Sequence, residues 1–483
     1  MCPESQQETN IHEEIDTEFF VSLASTWQRI GKRRARSEME LTSDELLQSV
    51  SFMYELTGEQ EKLLSDLQSD AFKYFVNEVD PDNGLIVDCT KEGWPSSIAA
   101  VGMALSAYPV GVERDFISRE EAIERTLRKL RFFAASEQST NAYATGYKGF
   151  YYHFLDMKTG KRAWECELST MDSTFLFAGM LSAAAYFDRD SEAESEIRRL
   201  ADKLYRRADW QWAAGSGATL LHGWRPESGF LKTSWDGYDE GMLANVLALG
   251  SPTFPLPPES YDVDVAAYTW KKVYDYEYVF APSLFIHQFS HIWIDFREIQ
   301  DAFIRKHGLD YFENSRRATY AHREYAKRNP KGFKGYSEVC WGLTACEGPG
   351  PAEMIIDGEK RVFFDYIARG IPDGPDDGTL APWAVVASLP FAPEIVLPAL
   401  EHFNEIEVGV DHPYGLQATF NPTFPDEKCR DCGWLSPRHF GINEGPIVLM
   451  IENYRTDFLW RLMRSCPYII DGLRRAGFSG GWL

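Results

Sequence analysis

The chain of 483 residues is 44% hydrophobic and 25% charged, an ordinary globular composition with length enough for a large core. Its formal net charge of −24 excludes a nucleic-acid partner, because phosphate recognition needs a basic footprint. No run of about 18 apolar residues marks a membrane-spanning helix, so a membrane partner is not expected either.

Residues 1–40 read as a polar, acidic tail ending in "RIGKRRARSEME", a basic patch that fits a solvated helical face. The opening "MCPESQQETNIHEEIDTEFF" lacks the basic and then apolar regions of a signal peptide, and the chain reads as cytoplasmic. "TSDELL" starts a helix over 43–56. From residue 58 apolar residues recur at helical spacing. The segments are 58–78, 95–108, 118–136, 168–187, 191–209, 238–249, 262–275, 283–298, 314–328, 379–389, 392–405, 445–462 and 467–476. "KGFYYHFLD" and "SGFLKTSW" alternate as short strands. There is no βαβ alternation, GxGxxG turn or P-loop. Length alone would fit two to four domains, but large all-helical toroids also run this long. No Pro-, Ser- or Gly-rich linker divides the chain. Residues 1–57 therefore read as an N-terminal tail with a helical extension, and 58–483 as one domain of catalytic size.

Cysteines Cys2, Cys89, Cys166, Cys340, Cys346 and Cys466 are scattered, and only Cys429 and Cys432 form a CxxC. One such pair without a second pair or nearby histidines is a weak zinc signal, and two thiols or a strained disulfide fit it better.

The long loops between helices carry the chemistry. They are dense in Trp, Tyr, His, Asp and Glu, too aromatic for disorder and longer than a plain connection needs. The chain has 14 Trp, 23 Tyr and 31 Phe; most must build the core, but some could serve as stacking platforms for sugar rings. Neither a GxSxG elbow nor HExxH is present. His287 and His291 are spaced i, i+4, which fits a pocket-lining or hydrogen-bonding pair better than a metal site lacking its acid. Carboxylates remain, and glycoside hydrolysis needs two. The candidates in aromatic loops are Asp156, Glu167, Asp172, Asp236, Asp239, Glu240, Glu338, Glu347, Asp377, Glu444 and Glu452. In "SWDGYDEGMLANVLALGSPT" three acids crowd the head of an apolar run. One could simply favour the helix dipole. Three together raise the pKa of the most buried, as a general acid requires. Glu338 and Glu444 also precede apolar runs, Asp172 lies one turn into its helix, and Glu452 reads as paired with Arg455.

In order and spacing, seven motifs resemble the glucoamylase-like (glycoamylase) domain family, which includes glycoside hydrolase family 144 and the hydrolase-like domain of cyclic β-1,2-glucan synthases. They are "GFYYHFLDMKTGKR", "ELSTMDSTFLFAGML", "GYDEGMLANVLALGSPT", "HQFSHIWIDFR", "NPKGFKGYSEVCWGLTACEGP", "DGTLAPWAVVASLPFAPE" and "GPIVLMIENYRTDFLWRLMRSCP". The similarity covers about residues 68–478. It implies an all-α (α/α)6 toroid with short β-hairpins in the cleft loops, no cofactor or metal, an oligo- or polysaccharide substrate, and action on β-1,2-linked glucans. Residue by residue, Glu240 falls on the family's general acid and Asp172 on an acidic cleft position. Tyr238, His291, Tyr336, Glu338 and Trp341 fall on cleft-lining positions, and Trp235 and Asp239 join them as substrate contacts. The chain departs from the family where "YGLQATFN" puts Ala418 in place of an aspartate, and where it reads "INEGP" for "DQGP". Glu444 is therefore expected to supply the second catalytic carboxylate. The alternatives are a hydrolase or transglycosylase of another gluco-oligosaccharide, α-linked ones included, and a catalytically silent sugar-binding protein.

Overall fold

Helix α1 (Gly58–Asn77) begins at a capping box, in which Thr57 Oγ1 accepts the Gln60 N–H and Gln60 Oε1 accepts the Thr57 N–H. It opens the computed structural model, which describes residues 55–409, 412–426 and 432–483. The tail and the helix expected over 43–56 lie outside these, apart from that helix's last two residues. Helices α2 (Ile98–Glu113) and α3 (Thr170–Tyr186) are buried along almost their whole length. Helices apolar on every side belong in the middle of a large protein. Glycines let these two approach closely. A Cβ on Gly102 would stand 2.3 Å from the Phe175 carbonyl oxygen, and one on Gly179 would stand 2.2 Å from that of Gly102. Gly102 meets Phe175 and, further along, the Ser106 hydroxyl lies 3.0 Å from that of Ser182, so the two helices run parallel.

The remaining helices used below are α4 (Met242–Gly250), α5 (Phe289–Trp293), α6 (Tyr311–Arg328), α7 (Pro382–Ala387), α8 (Gly441–Thr456) and α9 (Pro467–Arg475). Helix α8 is parallel to α2, since Gly441 meets Ala100 and Gly445 meets Met103. Helix α4 packs on α3, and α7 packs on α8. The α5 segment bridges the two. Ser290 Oγ accepts the Leu243 N–H of α4 (3.2 Å), and Gln288 Nε2 donates to Ala384 O (2.6 Å) and Ser388 Oγ (2.8 Å). Two further helices back this set in the opposite sense. On α1, Tyr74 abuts Gly441 while Gln68 Nε2 donates to Val448 O (3.0 Å). On α9, Tyr468 abuts Gly250 and Gly472 abuts Val246. Leu56–Leu483 forms one compact unit.

Several expected elements are corrected. The 262–275 segment is a helix only over Glu259–Ala266; it is followed by a hairpin of Trp270–Val273 and Tyr276–Val279 that turns at Tyr274, φ 55°. The 283–298 segment breaks into a 3-10 turn, Leu284–His287, and α5, so His287 and His291 do not share one helix. The 445–462 segment breaks at Asp457 (φ 55°) into α8 and Phe458–Met463. Glu452 pairs with Arg114 at 2.6 and 2.9 Å, while Arg455 turns to Glu61 and Gln68. A hairpin of Ala352–Ile356 and Glu359–Phe363 was not expected, although its Asp357-Gly358 turn (φ 53° and 84°) is the favoured pair for a two-residue loop.

Cys432 is disulfide-bonded, and Cys429 lies outside the described residues. Cys89, Cys166, Cys340, Cys346 and Cys466 are free and buried. Among the described residues no group of three or more His, Cys, Asp and Glu could hold a metal, and no helix is long and apolar enough to cross a membrane.

Candidate active site

A five-stranded antiparallel sheet lies over the start of α3, with strands β1 (Gly146–Tyr147), β2 (Phe150–Tyr152), β3 (Leu168–Ser169), β4 (Gly223–Arg225) and β5 (Gly229–Phe230) in spatial order. The pairing of β2 with β3 sets His153 beside Glu167. Ser169 caps α3: its Oγ accepts the Asp172 N–H (3.1 Å) and donates to Asp172 Oδ2 (2.5 Å). His153 bridges the two acids, with Nδ1 2.9 Å from Glu167 Oε1 and Nε2 3.5 Å from Asp172 Oδ1. Burial opposes the imidazolium, but Asp172 and Glu167 outweigh it and lift the His153 pKa to about 9. Burial also works against the Glu167 carboxylate, yet the bond from His153 brings its pKa down to about 2.

The signs give a pH window. The His153 pKa is raised from 6.5, so its contribution to stability is complete below that pH and lost as pH rises through about 9. The Glu167 pKa is depressed from 4.5, so its contribution is complete above that pH and lost as pH falls through about 2. The Tm difference between wild type and His153→Gln is therefore expected to be largest between pH 4.5 and 6.5 and to shrink towards pH 9. Thermal melts across pH check this, and a difference that grows towards pH 9 would contradict the ion-paired geometry.

Glu240 stands two residues ahead of α4, outside the helix expected to contain it. Its loop is held from below. Asp239 Oδ1 accepts the Gly241 N–H (2.7 Å), and Asp264 accepts the Gly237 N–H (3.1 Å) and Asn245 Nδ2–H (3.0 Å). Enclosure by the surrounding protein pushes the Glu240 carboxyl well above the usual carboxylate range. The charges of Asp172 and Asp239 add to this, and His153 opposes it. Asp239 itself is pushed up to about 7, by burial and then Asp236. The shift of Glu240 is in the direction a general acid needs.

The cluster includes two residues that the sequence did not single out. Asp88, in the loop before α2, is raised to about 6 chiefly by burial and also by Asp172, against the pull of His153 and of the Trp94 indole N–H, which donates to its Oδ2 at 3.1 Å. Tyr366 is 66% exposed, yet its phenol feels the charges of Glu240, Asp88 and Asp172. It hangs from the loop that follows the Glu359–Phe363 strand. No local pattern in the sequence marks either one; only the fold brings Asp88 to Asp172 and Tyr366 to Glu240.

Of the expected site residues, the structure brings Asp172, Asp239 and Trp235 to Glu240. Trp235 abuts Gly241, donates its indole N–H to Thr170 Oγ1 (2.9 Å) and stacks on His222 (3.9 Å). The others are engaged elsewhere. Tyr238 packs among Tyr311, Tyr268 and His287, 5.2–5.9 Å away. His291 is buried, bonded to Ser315 Oγ (2.9 Å), and kept neutral because burial lowers its pKa to about 3. Tyr336 donates to Asp376 Oδ1 (2.7 Å), and Trp341 is fully buried. Glu338 is exposed, 3.8 Å from Lys327. Glu444 is buried, with its side chain 1% exposed and its Oε1 2.8 Å from His439 Nδ1. Behind it, His439 Nε2 meets His412 Nδ1 at 2.5 Å. Ala418 is likewise buried.

The fold and this site define a helix-rich protein with a cluster of acids at the heads of its buried helices. The family model Glycoamylase, described as "Putative glucoamylase", matches residues 232–467. A "putative glucoamylase" of known structure from Bacteroides uniformis is 30% identical, with a TM-score of 0.78 over 89% of this chain and 100% of that one. The chain belongs to the glucoamylase-like family. An endo-β-1,2-glucanase from Chitinophaga pinensis, solved with sophorotriose and glucose, is 25% identical, with a TM-score of 0.77 over 89% of this chain and 100% of that one. An exo-β-1,2-glucooligosaccharide sophorohydrolase of Parabacteroides distasonis is 27% identical over 462 residues; the match covers 87% of this chain and 58% of the relative, so the chain spans little more than half of that enzyme's length.

Proposed function

We propose that the chain is a glycoside hydrolase that cleaves β-1,2-linked glucan, with Glu240 as the proton donor and Asp172 as the second carboxylate. One arrangement supports this: Glu240 is enclosed, and Asp172, held by Ser169 and His153, acts on it together with Asp239, so its pKa is raised. Glu240 gives its proton to the glycosidic oxygen as the bond to the anomeric carbon breaks. Asp172, fixed by Ser169 and His153, sets negative charge against the oxocarbenium-like sugar that forms; water then adds to the anomeric carbon, and the proton it loses passes to a carboxylate of the pair. Asp172 is preferred to Glu444 in this role, because Asp172 is among the charges that act on Glu240 whereas the Glu444 carboxyl is buried against His439. The likeness to the Chitinophaga pinensis endo-β-1,2-glucanase over the whole of that chain supports the linkage.

The architecture proposed for residues 58–483 is an (α/α)6 toroid. Its inner ring would run α2, α3, α4, α5, α7 and α8, with α1 and α9 among the antiparallel outer helices. The parallel senses of α2, α3 and α8 support this, as does the α5 bridge between α4 and α7. A toroid of this kind gathers the N-terminal ends of its inner helices at one mouth. Asp88, Asp172 and Glu240 precede or begin three of them.

The test is a digest of β-1,2-glucan, laminarin, cellulose and maltodextrin, with products separated by chromatography. β-1,2-Gluco-oligosaccharides or glucose from the first substrate alone is the expected result. Cleavage of maltodextrin instead would assign α-linked substrates, and binding without cleavage would make the chain a silent sugar-binding protein.

A further inference from the structure

A second groove adjoins the acidic cluster. It encloses about 500 Å³, and its lining includes Trp94, Trp164, Lys91 and Asp156. Trp164 is 55% exposed, an unusual position for the largest apolar side chain. Its backbone is left-handed (φ 55°), as is that of Glu165 (φ 49°), which is strained for bulky residues. The turn is nonetheless fixed. Arg162, buried beneath it, donates to the carbonyls of Cys166 (2.6 Å) and Glu165 (2.7 Å), and the Ala163 N–H donates to Phe154 O (2.9 Å). The indole is propped on Trp94 (4.6 Å, 73°) and on Phe154 (5.1 Å, 56°). A rigid, strained turn thus presents an apolar plate to water.

Two contacts join this plate to the candidate active site. Phe154 stacks on His153 (3.9 Å, 12°), and Trp94 donates to Asp88 (3.1 Å). The groove therefore lies next to the acid cluster. Its aromatic floor and charged rim, from Lys91 and Asp156, suit a pyranose ring, which offers an apolar face for stacking and hydroxyls at its edge. We infer that this groove is a distal subsite that binds a glucose unit of the glucan several residues from the scissile bond, with Trp164 as its platform. The inference rests on the hydrolase assignment and makes Trp164 a determinant of substrate length.

The test uses calorimetric titration of Glu240→Gln protein with β-1,2-gluco-oligosaccharides of about two to eight units, the range a distal subsite distinguishes. Affinity should rise with chain length. Adding Trp164→Ala should remove about tenfold of the affinity for the longest chains, leave the disaccharide unaffected, and be partly rescued by Trp164→Phe. Tyr143→Ala, at an exposed aromatic outside this groove, should leave the length dependence intact. If wild type cleaves β-1,2-glucan but Trp164→Ala binds every length as tightly as its parent, the subsite is wrong and the hydrolase assignment stands. If wild type cleaves no β-1,2-glucan, the hydrolase assignment fails and the subsite falls with it.

Discussion

Glu240→Gln is expected to lower kcat on β-1,2-glucan by about 10³-fold, the usual weight of a positioned general acid. The change keeps the shape of the side chain and its hydrogen-bonding reach but removes the proton. Because burial and the charges of Asp172 and Asp239 already favour the neutral acid, the neutral amide changes little in charge, and the variant should fold about as stably as wild type. Substrate affinity should persist while turnover is lost, so kcat falls with KM little changed. For wild type, the donor must be protonated, so activity should fall as pH rises through the elevated pKa of Glu240. Steady-state kinetics and a pH profile measure both. A variant that retains a tenth or more of wild-type turnover would remove Glu240 from the chemistry.

Arg369→Met should produce the largest loss of stability. Arg369 and Asp377 are both fully buried, joined by two bonds of 2.8 Å. The guanidinium also donates to the carbonyls of Cys346, Phe364 and Asp365, so it ties down the loop from which Tyr366 reaches the acid cluster. Removing one partner leaves a buried charge unpaired, which costs about 3–5 kcal/mol. Over roughly 430 residues at about 2.1 cal/mol/K each, that lowers Tm by about 3–5 °C. Pairing the change with Asp377→Leu should recover much of the loss, because two apolar side chains leave no orphan charge. Differential scanning calorimetry of the three proteins checks this. Equal Tm values for Arg369→Met and wild type would show that the pair is not buried as described.

Most of the helices were legible in the sequence, because a buried helix writes its apolar run plainly. The hairpin at 270–279 was less so: "WKKVYDYEYV" mixes apolar and charged residues in a way that helical spacing also tolerates, until Tyr274 adopts φ 55°. Glu240 stood out through the acids beside it. Glu444 carries the same local signature, an acid at the head of an apolar run, and only the tertiary neighbours separate the two. Glu240 feels the charge of Asp172, whereas Glu444 pairs with His439. Asp88 and Tyr366 come from loops far apart in the chain, and nothing in their own neighbourhoods foretells that they meet. Tyr336, Trp341 and His291 lie in the expected motifs, but their side chains serve packing and hydrogen bonds within the protein.

The central claim is that Glu240 delivers the proton that cleaves a β-1,2-glucosidic bond. A crystal structure of the Glu240→Gln protein with a bound β-1,2-gluco-oligosaccharide tests it most directly. The account predicts a glycosidic oxygen within about 3 Å of the side chain at position 240, with Asp172 beside the adjoining anomeric carbon. A chain bound with its glycosidic oxygens out of reach of position 240, or set against another carboxyl such as Glu338, would contradict it.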